Sequence, residues 1–250
     1  MQAFLTLTRR ELAGFFISFT GYVIIAAAVF QMGLSFVILL DKLQGESTPM
    51  PITEMFYITA FFWLILLLSA PIITMRSFAL EKYSGTFETL MTAPVGDLQV
   101  VLAKFFAALI FYMVMWLPLI GCLWLVQYFT GNSAVLDMGT IGSTFLGIFL
   151  LGCLYMSLGC FASALTRSQI IAAMISFAIG LTFFLLSFLS DQLSAGKTWA
   201  TEALNYVAMR EHMSDFSRGI IDTRYIVFYL SLTILFLFLT YRVVESRRWK

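Results

Sequence analysis

From Leu12 to Leu40 the chain runs 29 positions without a charged side chain. Roughly 20 consecutive apolar residues suffice for a helix to cross the hydrocarbon of a bilayer. In that medium only a helix or a closed barrel satisfies its own backbone, so the run predicts a first spanning helix at about Gly21–Leu40. Comparable runs recur at Met55–Met75, from Lys104 to about Gln127, within Met138–Thr166, at Ile170–Ser190 and at Tyr225–Tyr241. The expectation is an all-α polytopic membrane protein: six transmembrane helices in one transmembrane domain over residues 1–250, with no internal repeat and no soluble domain. Composition agrees. Hydrophobic residues are 60% and charged residues 12%, against roughly 45–50% and about 25% in soluble domains.

Proline and small residues punctuate the spans. Pro71 should kink or end the second just before a polar stretch, and Pro118 lies inside the third. Gly147, Gly152, Ser157, Gly159 and Ser163 give the fourth small faces for close helix packing. Residues 1–16 place Arg9, Arg10 and Glu11 among Phe4, Leu5, Leu7, Leu12, Phe15 and Phe16, an interfacial helix leading into the first span. The apolar run behind it is too long for a signal-peptide core, which predicts an uncleaved anchor.

Six spans put both ends on one side, and lysine and arginine choose that side. The N-terminal segment, the second-to-third connector, the turn at Arg167 and the tail carry ten basic residues. The opposite side carries five: Lys42, Lys197, Arg210, Arg218 and Arg224. Both termini are therefore expected in the cytoplasm.

The longest polar interruption is the connector Thr74–Phe105, with its polar segment at 76–98. Gly85 breaks a helix arriving from the left, Ser84 or Thr86 is placed to cap a new one, and Pro94 ends it at Ala93. Phe87, Leu90, Met91 and Pro94 recur at i, i+3, i+4 and i+7, an apolar stripe on a short amphipathic helix. Such a helix lies on lipid or fits a groove in another protein. The 190–224 segment predicts a second amphipathic helix, on the external side, from Met209, Met213, Phe216 and Ile220. His212, Phe216, Arg218 and Gly219 are its candidate cap residues, over the outer ends of the spans or dipping into the outer leaflet.

Several chemistries find no support. Cys122, Cys153 and Cys160 sit in apolar runs, without disulfide or metal-ligand spacing, and no His/Asp/Glu cluster suggests a metal. Gly196-Lys197-Thr198 lacks the first glycine of a phosphate-binding loop, since Asp191 occupies its position. The chain is thus not expected to hydrolyse ATP by itself. Ser133 and His212 are a remote hydrolase pair without an evident acidic partner. Of charged groups near the spans only Lys104 lies close to an end, positioned to snorkel. A cavity lined by aromatic, aliphatic and hydroxyl groups suits an amphiphilic substrate better than a small ion. A net charge of +1 gives no reason to expect nucleic acid as a partner.

The connector resembles that of ABC-2 type permeases, closest to the gliding-motility-associated branch. The matching positions are Pro71, Thr74, Met75, Arg76, Glu81, Gly85, Thr86, Glu88, Leu90, Thr92, Pro94 and Val95. R-R-E-L…G-Y-V-I near the start and H-M-S-D-F-S-R-G-I-I-D from His212 to Asp222 are also similar. The resemblance implies the permease subunit of a bacterial ATP-driven exporter in the inner membrane. Its partners would be two cytoplasmic ATPase subunits, which would bind the ATP and magnesium, and a second permease, identical or related. An accessory membrane subunit with a large external domain is a further possible partner, beside the lipid bilayer itself. The helix at Thr86–Ala93 would be the coupling helix, with Arg76, Glu81, Gly85, Thr86, Phe87, Glu88, Leu90, Met91 and Pro94 as coupling residues. The first and fifth spans would line the dimer cavity, which nominates Phe30, Phe36, Phe177 and Phe184. A non-transporting scaffold of an envelope or motility machine is the alternative from another class.

Overall fold

The computed structural model describes residues 2–42, 52–87, 95–130, 137–193 and 206–246. It is 89% helix without strands among them, and six of its helical stretches are long and apolar enough to span a membrane. The first interfacial helix is α1 (Gln2–Ile17), followed by α2 (Phe19–Lys42), the first span. The second span is built from α3 (Ile52–Ile58) and α4 (Ala60–Thr74), with α5 (Ala79–Ser84) beyond it. The third is α6 (Asp97–Trp116) with α7 (Pro118–Thr130), and the fourth is α8 (Met138–Leu165). Then come α9 (Gln169–Leu193), a short α10 (Met209–Ser217) and the last span, α11 (Thr223–Ser246).

The interruptions have local causes. Pro118 opens α7, where its missing N–H is one of the unpaired helix-start donors anyway, so the third span breaks at Leu117 rather than continuing through it. The second span was expected as one helix over Met55–Met75, but it breaks at Thr59. The Thr59 hydroxyl donates to the Phe56 carbonyl at 2.6 Å and takes the place of a helical bond. Pro71 sits inside α4, which stops three residues later at Thr74.

The fourth span is the axis of the fold. In α8, 78% of the most apolar window is buried, against 28%, 22% and 17% for α2, α9 and α11. Lipid tails are as apolar as leucine, so close contact rather than hydrophobic transfer brings spans together. The small residues of α8 provide it. A methyl group added at Gly159 would lie 2.0 Å from the Thr74 Oγ1 of α4, and one at Gly152 would lie 2.5 Å from the Tyr112 ring of α6. Tyr155 of α8 in turn packs on Gly180 of α9 and donates to its carbonyl at 3.1 Å.

The expected interfacial helix lies on protein as well. Its aromatic face covers α6: Phe15 stacks on Phe111 with centroids 4.9 Å apart, and Phe4 meets Phe106 edge-on at 6.0 Å. A tight turn then leads into α2, made possible by Gly21, where any side chain would collide with the Phe15 carbonyl.

The external helix is shorter than the periodicity predicts. It ends at Ser217, because Arg218 N–H caps it and Gly219 follows with φ 88, so Ile220 falls outside it and is exposed. Met209, Met213 and Phe216 are buried. Gly147 of α8 leaves room for Met213 and Phe216, and Ser143 donates to the Phe216 carbonyl at 2.6 Å. Met209 sulfur reaches to 4.0 Å from the Tyr155 hydroxyl, well inside α8, so α10 is inserted among the spans rather than laid over them. Arg218 binds the buried carboxylate of Glu54 at 2.5 and 2.8 Å, fixing α10 to α3.

Candidate functional site

The candidate site forms at the end of the bundle that carries the termini, where α4 gives way to α5. The α4–α5 turn is held by one hydroxyl. Ser163 Oγ accepts from the Phe78 and Ala79 N–H groups at 3.0 Å each and donates to the Met75 carbonyl at 3.1 Å. One residue further along α8, the Ala164 carbonyl accepts from Lys82 Nζ. The last carbonyls of a helix have no partner within it and carry its negative dipole end, so a buried ammonium there serves as a cap. Short α5 is therefore seated on the C-terminus of the central span.

On its other side α5 joins an ion cluster of four residues from three elements. Lys104 Nζ of α6 lies 2.8 Å from Glu81 Oε1 and 3.1 Å from Glu11 Oε1 of α1. Arg10 Nη2 lies 2.8 Å from Glu11 and 3.4 Å from Glu81. Lys104 is only 3% exposed and does not snorkel as expected, because two carboxylates meet it inside the protein. Its ammonium also stands 5.4 Å from the centre of the Phe78 ring. Arg76 adds a further tie, donating to Ser18 Oγ at 3.2 Å and Thr20 Oγ1 at 2.8 Å in the α1–α2 connection. A small cavity of about 110 Å3 lies between Glu11, Phe15, Arg76, Leu80 and Lys104.

Burial disfavours the Glu11 carboxylate, but Lys104 and Arg10 together outweigh it and hold Glu11 below its ordinary value of 4.5. A folded-state value below the unfolded one stabilises the fold fully above about pH 4.5, and that contribution is lost as pH falls through the lowered value. The wild-type unfolding temperature should therefore drop more steeply below pH 4.5 than that of Glu11→Gln, whose curve lacks this component. Thermal unfolding from pH 7 to pH 3.5 in one detergent measures it; parallel curves for the two proteins would refute the pairing.

Gly85, at φ 74, ends α5 in the left-handed conformation and turns the chain into Thr86 and Phe87, as its placement in the sequence predicts. Tyr83, Ser84, Gly85 and Thr86 are exposed there, Tyr83 by 79%. Phe87 is turned inward instead: it is 8% exposed, and Lys82 Nζ lies 5.3 Å from its ring centre. Glu88, Leu90, Met91 and Pro94 lie outside the described residues.

Sequence reasoning nominated Arg76, Glu81, Gly85, Thr86 and Phe87, and the fold brings all five to this end. It missed Arg10 and Glu11 as partners of Glu81, and Ser163 and Lys82 as the supports of α5. Charge among apolar residues in 1–16 was the available signal for the first pair. The sequence marked Ser163 only as a small residue for close helix packing, and nothing in it pointed to the hydroxyl's hold on the α4–α5 turn.

The cavity nominees divide. Phe30 and Phe177 are 66% and 37% exposed on the peripheral spans, Phe36 is buried against Phe56 at 5.1 Å, and Phe184 leans on Trp63 at 5.2 Å. At the opposite end His212 is buried, stacked on Tyr225 at 4.0 Å with Nδ1 3.3 Å from the Tyr229 hydroxyl. Ser133 lies outside the described residues, as does Gly196-Lys197-Thr198. Among the described residues no group of three His, Cys, Asp or Glu side chains is placed to hold a metal.

Six apolar spans, five of them gathered around the central fourth, with charge collected into a compact cluster at one end, define a multi-pass membrane protein. The chain belongs to the family described as ABC-2 family transporter protein, whose family model matches residues 38–209. It is accordingly the permease component of an ABC transporter, a transport component rather than a catalytic one. Partnership with ABC ATPase subunits follows in general terms. No curated protein shows significant similarity to the chain. The matched region takes in α3 to α9, so Arg10 and Glu11 of the ion cluster come from outside it.

Proposed function

We propose that this chain is the permease of an ATP-driven exporter in the bacterial inner membrane, and that segment 76–98 receives the ATPase. The observation that carries this reading is the rigid seating of α5. Through Ser163 and Lys82 it is fixed to the central span, and through Glu81 to α1 and α6. A push on the exposed turn at Tyr83–Thr86 would therefore move the bundle rather than bend a loop. Two such permeases, each docked on one ATPase subunit, would convert closure of the ATPases on ATP into a rigid-body shift that changes which side the cavity faces. ATP and magnesium would be held by the partners. The unmatched α1 would act as a lever, since it shares two carboxylate-cation contacts with α5 and α6. A link to gliding motility rests on the sequence resemblance alone.

The test is purification of the full chain from its native membrane in mild detergent, with copurifying proteins identified by mass. A cytoplasmic ATPase in stoichiometric amount supports the reading, and Tyr83→Asp, on the exposed turn, should lower its recovery at least tenfold. Unlike Phe87, Tyr83 is not buried, so its substitution leaves the fold intact. A homogeneous, folded preparation that never contains an ATPase would overturn the proposal in favour of a scaffold.

A further inference from the structure

Where α1 crosses α6 the two helices leave an open apolar groove of about 460 Å3, lined by Phe4, Leu5, Thr8, Arg9, Leu12, Phe106 and Ile110. That volume falls within the roughly 300–1,000 Å3 of small-molecule sites. The walls offer nothing to a polar guest. The Thr8 hydroxyl already donates to the Phe4 carbonyl at 2.9 Å, and the remaining side chains are apolar apart from Arg9. A peptide or a sugar placed there would leave buried polar groups without partners. Leu5, Phe106 and Ile110 are 69%, 40% and 41% exposed, so the groove opens outward on a protein whose surroundings are lipid.

Arg9 differs from its neighbour. Arg10 is drawn to Glu11 and Glu81, whereas Arg9 makes no hydrogen bond or ion pair among the described residues. Its methylene stem can line the wall while its guanidinium reaches the rim. A planar, permanently charged fork at the mouth of an apolar groove matches a phosphate attached to a hydrocarbon chain. We propose that this groove holds one acyl chain of an anionic phospholipid and that Arg9 binds the lipid's phosphate. The bound lipid would fasten α1 to α6 on the face opposite the ion cluster.

The test uses the delipidated full chain in detergent, titrated in native mass spectrometry with phosphatidylglycerol or phosphatidylcholine carrying the same palmitoyl and oleoyl chains. The first phosphatidylglycerol should bind about fivefold tighter, the size expected of one basic residue at an anionic headgroup. Arg9→Gln should abolish the preference, weakening phosphatidylglycerol more than phosphatidylcholine, whose choline cation already offsets its phosphate. Ile110→Trp, which fills the groove, should weaken the first adduct of both lipids, and Arg224→Gln at the other end should change nothing. Equal binding of the two lipids by the wild type would reduce the groove to ordinary annular contact and overturn the proposal. So would a preference that survives Arg9→Gln, a surface change that cannot be dismissed as misfolding. A lipid-free dimer that Ile110→Trp dissociates would assign the groove to a second copy instead.

Discussion

Lys104→Met is expected to cost the fold about 3–5 kcal/mol, the loss typical when one partner of a buried ion pair is removed. The ammonium is 3% exposed and is shared by Glu11 and Glu81, so its removal leaves two carboxylates facing one another with only Arg10 between them and water. Methionine keeps the stem's volume, which isolates the charge from the packing. Thermal or denaturant unfolding in detergent reads the effect, and the triple variant Lys104→Met, Glu11→Gln, Glu81→Gln should recover most of it. A single variant as stable as the wild type would mean that the cluster is solvated and loose. The loss should also appear in function: in the single variant α1 and α5 lose their common anchor, and ATP hydrolysis by a copurified partner should no longer drive transport.

Gly159→Ala is expected to be nearly as damaging, although it adds a single methyl group. That methyl would lie 2.0 Å from Thr74 Oγ1 and 2.6 Å from Thr74 Cβ, at the closest approach of α8 to α4. The atoms it would meet belong to the root of a short β-branched side chain, with no flexible end to swing away. Its hydroxyl is also committed to the Ala70 carbonyl at 2.8 Å. The helices must separate, at about 1–3 kcal/mol or more for overpacking. Thr74→Ala on top of Gly159→Ala should restore only part of the loss, because the Thr74 Cβ itself is too near. Full rescue, or no loss in the single variant, would show that α4 and α8 slide freely at this point.

The two substitutions bear on different kinds of legibility. That the fourth span would pack closely was readable from its glycines and serines, since small residues among long apolar ones have few other uses in lipid. Which neighbour fills each gap was not. Gly159 meets Thr74, Gly152 meets Tyr112 and Gly147 meets Met213 and Phe216, and those pairings depend on how three separate elements converge on α8. The same holds for charge. Arg10, Glu11, Glu81 and Lys104 each stood out in the sequence. Their separations of 71 residues between Arg10 and Glu81 and 23 between Lys104 and Glu81 carry no periodicity that would join them.

Local rules predicted local events well. Gly85 ends a helix in the left-handed region, an effect of a single residue's backbone, whereas Pro118, expected inside a continuous third span, interrupts it and opens a new helix. Phe87 illustrates the limit. Helical spacing put it on an apolar stripe with Leu90 and Met91, but whether that stripe's first residue faces out or in is set by what lies beneath it. Lys82, itself bonded to the end of α8, is there, and Phe87 turns inward.

By itself the sequence determined the solvent, the number of spans and the polar segment between the second and third. Runs without charge admit no other answer in a bilayer, where each backbone group must be satisfied within its own helix. Only the tertiary structure decided that α8 is the axis, that α10 is inserted beside it, and that α1 and α5 share one buried lysine. Those outcomes rest on close contacts between residues far apart in the chain. Such contacts are chosen by shape and charge in three dimensions, and no pattern along one dimension records them.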